Sequence, residues 1–239
     1  MKPWPNSPSY EVIHLWMCRD LLSPRVDEAL ELLAPEEQER ALGFRFEDDR
    51  RRYLGGALLQ RTVLGHCLSR PSLALSFVRN EWGKPSLNQG DDSAIRFNSS
   101  RSHEVAILAV GAESEVGVDV EYERDLDLSM RCQFSKAERG FIENAPSSTQ
   151  AFFEIWARKE AYIKGIGRGL SHPLDQFDVS PCGEGFVHDW SEDSPSESWS
   201  VRSVELPITG YAAAIAAPYQ FLRFEIIEVS FDELLASFA

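Results

Sequence analysis

The sequence predicts an α+β protein built from two similar α/β halves in a pseudo-two-fold arrangement. Three observations carry this expectation. Its 239 residues, 43% hydrophobic and 26% charged, suffice for one large domain or two small ones with a real core. Runs rich in β-branched and aromatic residues alternate with helical apolar stripes in both halves of the chain. Finally, EVAILAVGAESEVGVDVEY near the middle is echoed by GYAAAIAAPYQFLRFEIIEVS near the end. Each is a small-residue apolar strand, a short turn and an alternating strand.

Taken in order, YEVIHLWM at 10–17 predicts a strand. Ser23-Pro24 supplies an N-cap with proline at the first helical position, opening a helix to Leu33, and Pro35 opens a second. Between Glu47 and Leu68, the stripe of Leu54, Leu58, Val63, Leu64 and Leu68 predicts a long helix. Short strands are expected at 75–79, 95–98, 104–110 and 116–122. In the second half, helices at about 135–145 and 149–165 precede strands near 200–206, 211–217 and 222–229. The acidic, serine-rich stretch 183–199 reads as a surface loop or hairpin tip. The halves divide at 1–112 and 113–239.

Lysine and arginine total 24 against 38 acidic residues, giving a net charge of −14 and a pI near 4.8. That balance excludes a general binder of nucleic acid or anionic membrane, whose affinity rests on clustered positive charge. The charge is uneven, however. Residues 1–112 carry 14 basic and 15 acidic groups, whereas 113–239 carry 10 and 23, so a polyanion site belongs to the first half or the seam. Cys18, Cys67, Cys132 and Cys182 stand far apart with no metal-ligand spacing, as expected of reduced thiols. The start shows no secretory signal pattern and GYAAAIAAPYQFL is too short to span a membrane, so a soluble, cytoplasmic protein is expected.

The first chemical candidate is GVDVE at 117–121. Alternation along a strand projects Asp119 and Glu121 from one face, some ~7 Å apart, a spacing suited to a hard cation such as Mg²⁺. The alternative is a solvated strand edge. In FFEIWARKEAYIKGIGRGL, Glu160 and Lys164 are i,i+4 neighbours on one helix face. They are either a surface ion pair or the third carboxylate of a Mg²⁺ site with a cation for phosphate oxygens. The chain has five lysines against nineteen arginines, yet Lys159 and Lys164 bracket this glutamate, as if compact point charges were wanted. GIGRGL closes a helix instead of opening one after a strand, so a glycine-rich helix terminus is expected rather than a dinucleotide fingerprint. Arg45, Arg50, Arg51 and Arg52 form a basic cluster that is either a solvated helix face paired with Glu47, Asp48 and Asp49 or a phosphate clamp. Lys84 in WGKP and Arg101 in FNSSRS add cations from the first half. The five histidines are scattered and support neither a metalloprotease nor a triad.

In this order, FRFEDDRRRYLGG, WGKP, FNSSRS, GVDVE and WARKEAYIKGIGRGL resemble the motifs of the 4′-phosphopantetheinyl transferases of the large, two-half kind. The resemblance covers residues 44–170, and the last two motifs together are its specific part. It implies that family's fold and a transfer of the phosphopantetheine arm from coenzyme A to a serine of an acyl or peptidyl carrier protein, releasing 3′,5′-ADP. It places Mg²⁺ on Asp119, Glu121 and Glu160 and makes Glu160 and Lys164 the catalytic pair. Coenzyme A would meet Arg45, Arg51, Arg52, Lys84, Ser100, Arg101 and Lys164, with Arg51 on the nucleotide phosphates, Lys164 on the pyrophosphate and Lys84 near the adenine. The first half is then the nucleotide-binding half, and the second binds Mg²⁺ and docks the carrier. The family motif usually reads F-N-x-S-H-S, and Arg101 stands here at the histidine position.

In 124–140, Arg124, Arg131, Lys136 and Arg139 outnumber Asp125, Asp127 and Glu138, flanked by Phe134 and Phe141. This stretch is either the dock for an acidic carrier helix or an ordinary amphipathic helix whose phenylalanines face the core. Two other functions fit the residues: a metal-dependent phosphodiesterase or nuclease, and a non-catalytic module binding coenzyme A or a carrier. Because two internal halves already supply a seam, a monomer is expected.

Overall fold

A computed structural model describes residues 4–5, 12–88, 94–125, 128–179, 185–218 and 223–238. Expectations touching residues 10–11, 126–127, 180–184 (Cys182 among them) and 222 lie outside the described residues. The first half contains β1 (Ile13–Cys18), a 3₁₀ helix (Pro24–Leu32), α1 (Pro35–Leu42), α2 (Glu47–Leu68) and the small hairpin β2 (Phe77–Arg79) and β3 (Pro85–Leu87), followed by β4 (Ile95–Ser102) and β5 (Val105–Ala112). Then come β6 (Gly117–Tyr122), α3 (Lys136–Asn144), α4 (Ser148–Gly165), β7 (Phe177–Asp178), β8 (His188–Asp189), β9 (Trp199–Ser203), β10 (Tyr211–Pro218), β11 (Phe224–Val229) and α5 (Phe231–Ser237).

The two larger sheets have the orders β11-β1-β5-β4 and β6-β10-β9, and each is covered by one long helix. Alternation along the strands divides the side chains among three cores. Trp16, Cys18, Leu108 and Val110 face α2, where Leu54, Leu58 and Val63 are fully buried. Trp199, Val201, Ala214 and Ala216 face Phe152, Ile155 and Ile163 of α4. Ile13, Leu15, Met17, Ile107 and Ala109 meet Val118, Val120 and Ile215 in a third core between the sheets. The layers thus run helix, sheet, sheet, helix, and each buried Leu or Ile is worth roughly 1.5–3 kcal/mol against exposure.

The repeated segments do not make hairpins. β5 belongs to the first sheet while β6, after a short turn, joins the second; β10 lies in the second while β11 crosses back to pair in parallel with β1. The chain thus passes from the first sheet to the second between β5 and β6, and back again between β10 and β11. The end of the chain returns to the first sheet. β11 and α5 follow the second half in sequence but pack into the first-half core through Val229, Phe231 and Leu234.

The described part of the acidic stretch, 185–199, is more tied down than a surface loop. Phe186 bridges Ser200, β8 pairs with β7, and Asp189 accepts hydrogen bonds from Tyr162 Oη at 2.6 Å and Ser191 Oγ at 2.6 Å.

Candidate functional site

The site lies where the edge strands β4 and β6 run side by side without a backbone ladder. Side chains of β4 replace that ladder. Val118 N–H donates to Asn98 Oδ1 at 2.9 Å, and Tyr122 N–H donates to Ser102 Oγ at 3.0 Å. Asn98, Ser100 and Ser102 share one face of β4 because a strand alternates every second residue. The other face, with Phe97, Ser99 and Arg101, turns to the α2 side: Phe97 enters that core, Ser99 Oγ donates to Gln60 Oε1 at 3.4 Å, and Arg101 packs over Gly56.

α4 is laid directly on β6 by two glycines. A Cβ built on Gly117 would stand 1.9 Å from the Ala161 carbonyl oxygen, and one on Gly165 would meet the Trp199 ring at 2.5 Å. Only hydrogen fits at either place. This close approach suspends Glu160 and Lys164 over Asp119 and Glu121. Lys164 Nζ donates to Asp119 Oδ1 at 2.5 Å and to Ser100 Oγ at 3.0 Å, while Ser100 Oγ donates to Asp119 Oδ1 at 2.7 Å. Ser102 Oγ donates to Glu121 Oε2 at 3.0 Å.

Two of the three carboxylates are pushed up. Burial pushes Glu160 up to about 7; Lys164 opposes this, and the charges of Asp119 and Glu121 add to it. Burial and then Asp119 also raise Glu121, with the Ser102 hydroxyl pulling back. Acidic groups gathered in low dielectric resist ionising together unless a cation joins them. Asp119, only 2% exposed, keeps Oδ2 buried with no hydrogen-bond partner among the described residues. Hard oxygen donors with one oxygen left over fit a divalent cation such as Mg²⁺. As the side chains stand, no group of three His, Cys, Asp or Glu among the described residues is arranged to hold a metal ion, and the Lys164 ammonium occupies the approach to Asp119.

Lys159, the other lysine bracketing Glu160, has a different task. It is fully buried, pairs with buried Glu138 at 2.9 Å, and donates to the Leu174 and Phe177 carbonyls. Glu138 is also the capping-box residue of α3, so this strut fastens α3 to the back of α4. Phe134 is likewise fully buried, stacked on Phe152, and cannot anchor a partner; of the two flanking phenylalanines only Phe141 keeps an exposed edge.

The basic cluster splits. Arg52 donates to the His103 carbonyl at 3.0 Å and to Asp49 at 2.8 Å, which brings it towards Arg101. Arg101 and Arg40 both stack on the Tyr53 ring, at 5.7 and 5.3 Å from its centroid. The protein packed around Arg101 and the charge of Arg40 lower the Arg101 pKa, although the residue keeps an exposed face. Like charges held together this way make a ready anion site. Arg51 is not part of it: its guanidinium is turned to Asp27 at 3.2 Å and to the Leu22 carbonyl. Arg50 also takes Asp27, and exposed Arg45 lies over Phe46. Arg40 was missed because a cation in the last turn of a helix is ordinary and nothing local marks it. Asn98 and Ser102 escaped notice for a similar reason, since their roles exist only across the seam.

Lys84 crosses the seam. Its Nζ donates to Gly165 O at 2.6 Å and to Glu115 at 2.5 Å, capping the end of α4, while Asn80 Nδ2 donates to Gly167 O at 2.8 Å. Gly167, at φ +76°, turns the chain out of the helix there. Beside this contact opens a cavity of about 800 Å³ lined by Lys84, Phe97, Gly165, Gly167, Arg168 and Trp199, drawn from both halves.

Two family models cover most of this architecture. Residues 22–115 match the N-terminal model of 4′-phosphopantetheinyl transferases, and residues 115–216 match the model of the 4′-phosphopantetheinyl transferase superfamily. The chain is 29% identical over 228 residues to 4′-phosphopantetheinyl transferase Sfp of Bacillus subtilis, covering 94% of this chain and 100% of that protein. It is 30% identical over 177 residues to 4′-phosphopantetheinyl transferase HetI of Nostoc, covering 70% of this chain and 73% of that one. To the L-aminoadipate-semialdehyde dehydrogenase-phosphopantetheinyl transferase of Xenopus laevis it is 31% identical over 194 residues, covering 72% and 64%.

Proposed function

The chain belongs to the 4′-phosphopantetheinyl transferases, and from that premise we propose that its seam carries out the transfer with the residues described above. The enzyme moves phosphopantetheine from coenzyme A to a carrier protein. The finer reading is that the carrier's serine oxygen attacks the β-phosphorus of the coenzyme A pyrophosphate. A new P–O bond forms, the bond to the α-phosphate oxygen breaks, and 3′,5′-ADP leaves.

Asp119, Glu121 and Glu160 would hold Mg²⁺. Bound there, the ion neutralises pyrophosphate charge, the main demand of phosphoryl-type transfer. Lys164, now on Asp119, is the cation that moves to the pyrophosphate once Asp119 has another partner. Glu160, on the opposite wall from the strand carboxylates, accepts the serine proton. Arg40, Arg52 and Arg101 take a phosphate of the nucleotide end, a set that replaces Arg45 and Arg51 in that role. The seam cavity beside Lys84 receives the adenine. The carrier docks on the second half near α3 through its charged residues, with Phe134 left in the core. A monomer in the cytoplasm fits two internal halves that already build the seam; among the described residues no helix is long and apolar enough to cross a membrane.

The observation that carries this reading is the meeting of Asp119, Glu121 and Glu160 with Lys164 under a glycine-glycine contact. Its test is metal removal. Enzyme treated with a chelator should transfer nothing to an apo-carrier, recover on addition of Mg²⁺, and fail to recover when Asp119→Asn is present. Full transfer by metal-free enzyme would overturn it.

A further inference from the structure

Ser102 faces Glu121 across the seam, and its hydroxyl both accepts and donates a hydrogen bond there. The Tyr122 N–H donates to Ser102 Oγ at 3.0 Å, occupying a lone pair, and the hydroxyl proton is directed to Glu121 Oε2, also at 3.0 Å. Two residues earlier the pattern repeats. Lys164 Nζ donates to Ser100 Oγ, which donates to Asp119 Oδ1. Both strands have a side-chain period of two, so serines at 100 and 102 match carboxylates at 119 and 121. Each serine grips one carboxylate oxygen. On Asp119 the other, Oδ2, is left buried and unpartnered among the described residues.

A glutamate on a strand has several rotamers, and ordering it costs entropy at the moment a ligand binds. A hydroxyl that is itself fixed by a backbone N–H removes that freedom in advance. Ser102 differs from Ser100 in having no contact with Lys164; its side-chain bonds go to Tyr122 N–H and Glu121. It belongs to β4 of the first sheet, whereas the carboxylate it orients belongs to the second.

We propose that Ser102 is a positioning residue for the divalent cation: its hydroxyl holds Glu121 Oε2 and turns the other carboxylate oxygen towards the site shared with Asp119. This rests on the reading of Asp119 and Glu121 as cation ligands. It makes the first half a contributor to metal affinity through one hydrogen bond across the seam. Loss of such an outer-shell partner typically weakens metal binding about ten- to hundredfold.

The test uses Mn²⁺ as the probe, with free Mn²⁺ read by electron paramagnetic resonance on the full chain without coenzyme A. Wild type is compared with Asp119→Asn, Ser102→Ala, Ser102→Thr and, as a control on the opposite face of β4, Ser99→Ala. Asp119→Asn should abolish binding and Ser102→Ala should weaken it about tenfold or more with an unchanged melting temperature. Ser102→Thr, which keeps the hydroxyl, should restore it, and Ser99→Ala should bind as wild type does. If Asp119→Asn loses Mn²⁺ while Ser102→Ala binds normally, the positioning role fails and the cation site stands. If Ser102→Thr is as weak as Ser102→Ala, lost packing is responsible and the role again fails. If Asp119→Asn binds like wild type, the cation reading falls and the inference with it.

Discussion

At Arg101 a guanidinium stands where the family motif has an imidazole, stacked on Tyr53 beside Arg40. A guanidinium stays charged across the physiological range, while an imidazole titrates near pH 6.5. In wild type this contact should therefore give no pH dependence to KM for coenzyme A between about pH 6 and 7. In Arg101→His, KM should rise as pH increases through that window and the imidazolium is lost; a profile identical to wild type would contradict the contact. The neighbouring arginines separate in the same way. Arg52→Ala should raise KM for coenzyme A. Arg51→Ala should leave KM alone and lower stability instead, because its partners are Asp27 and the Leu22 carbonyl. Chemical unfolding and steady-state kinetics on the two variants check this. Burial raises the thiols of Cys18 and Cys67 to about 12, so they stay protonated and shielded well above neutral pH, whereas Cys132 is exposed. Peptide mapping after brief alkylation of native enzyme at pH 8 should find Cys132 modified and Cys18 and Cys67 untouched.

Among the elements, the pairing of α4 with β6 decides most. Gly117→Ala would drive a methyl into the Ala161 carbonyl, and overpacking of this kind costs about 1–3 kcal/mol or more. The variant should melt several degrees lower and lose transfer activity even where it remains folded, because Glu160 and Lys164 move off Asp119 and Glu121; a variant with normal melting and normal activity would show that the close contact is dispensable. Much at this scale is legible beforehand. The 47–68 helix has the bounds expected from its apolar stripe, and D-x-E alternation puts Asp119 and Glu121 on one face. β4, in contrast, runs to Ser102 instead of stopping at 98. Its N-S-S-R-S tail has poor strand propensity, and what holds it is partners across the seam that no local window contains. Lys159 and Lys164 look equivalent around Glu160, yet one is a buried strut and the other faces the site; helix phase relative to the sheet settles that, and the phase is set by Gly117 and Gly165.

For the whole molecule, the net charge of −14 describes the outer surface, and the seam is the exception. Lys84 and Lys164 reach it from the two halves, Lys164 beside the carboxylates and Lys84 at the end of α4. The repeated strand-turn-strand segments mark where the chain crosses between sheets, and that crossing ties the first half to the second through β11 and α5. Similar strands were readable in the sequence; the return of β11 to β1 was not, because partner choice depends on long-range pairing rather than on local pattern. The central claim is that this seam is a transferase centre. Intact mass spectrometry of an apo-carrier protein incubated with coenzyme A, Mg²⁺ and enzyme tests it directly. The account predicts a gain of one phosphopantetheine on the carrier with wild type and none with Glu160→Gln. A carrier left unmodified by wild type while coenzyme A is hydrolysed would contradict it.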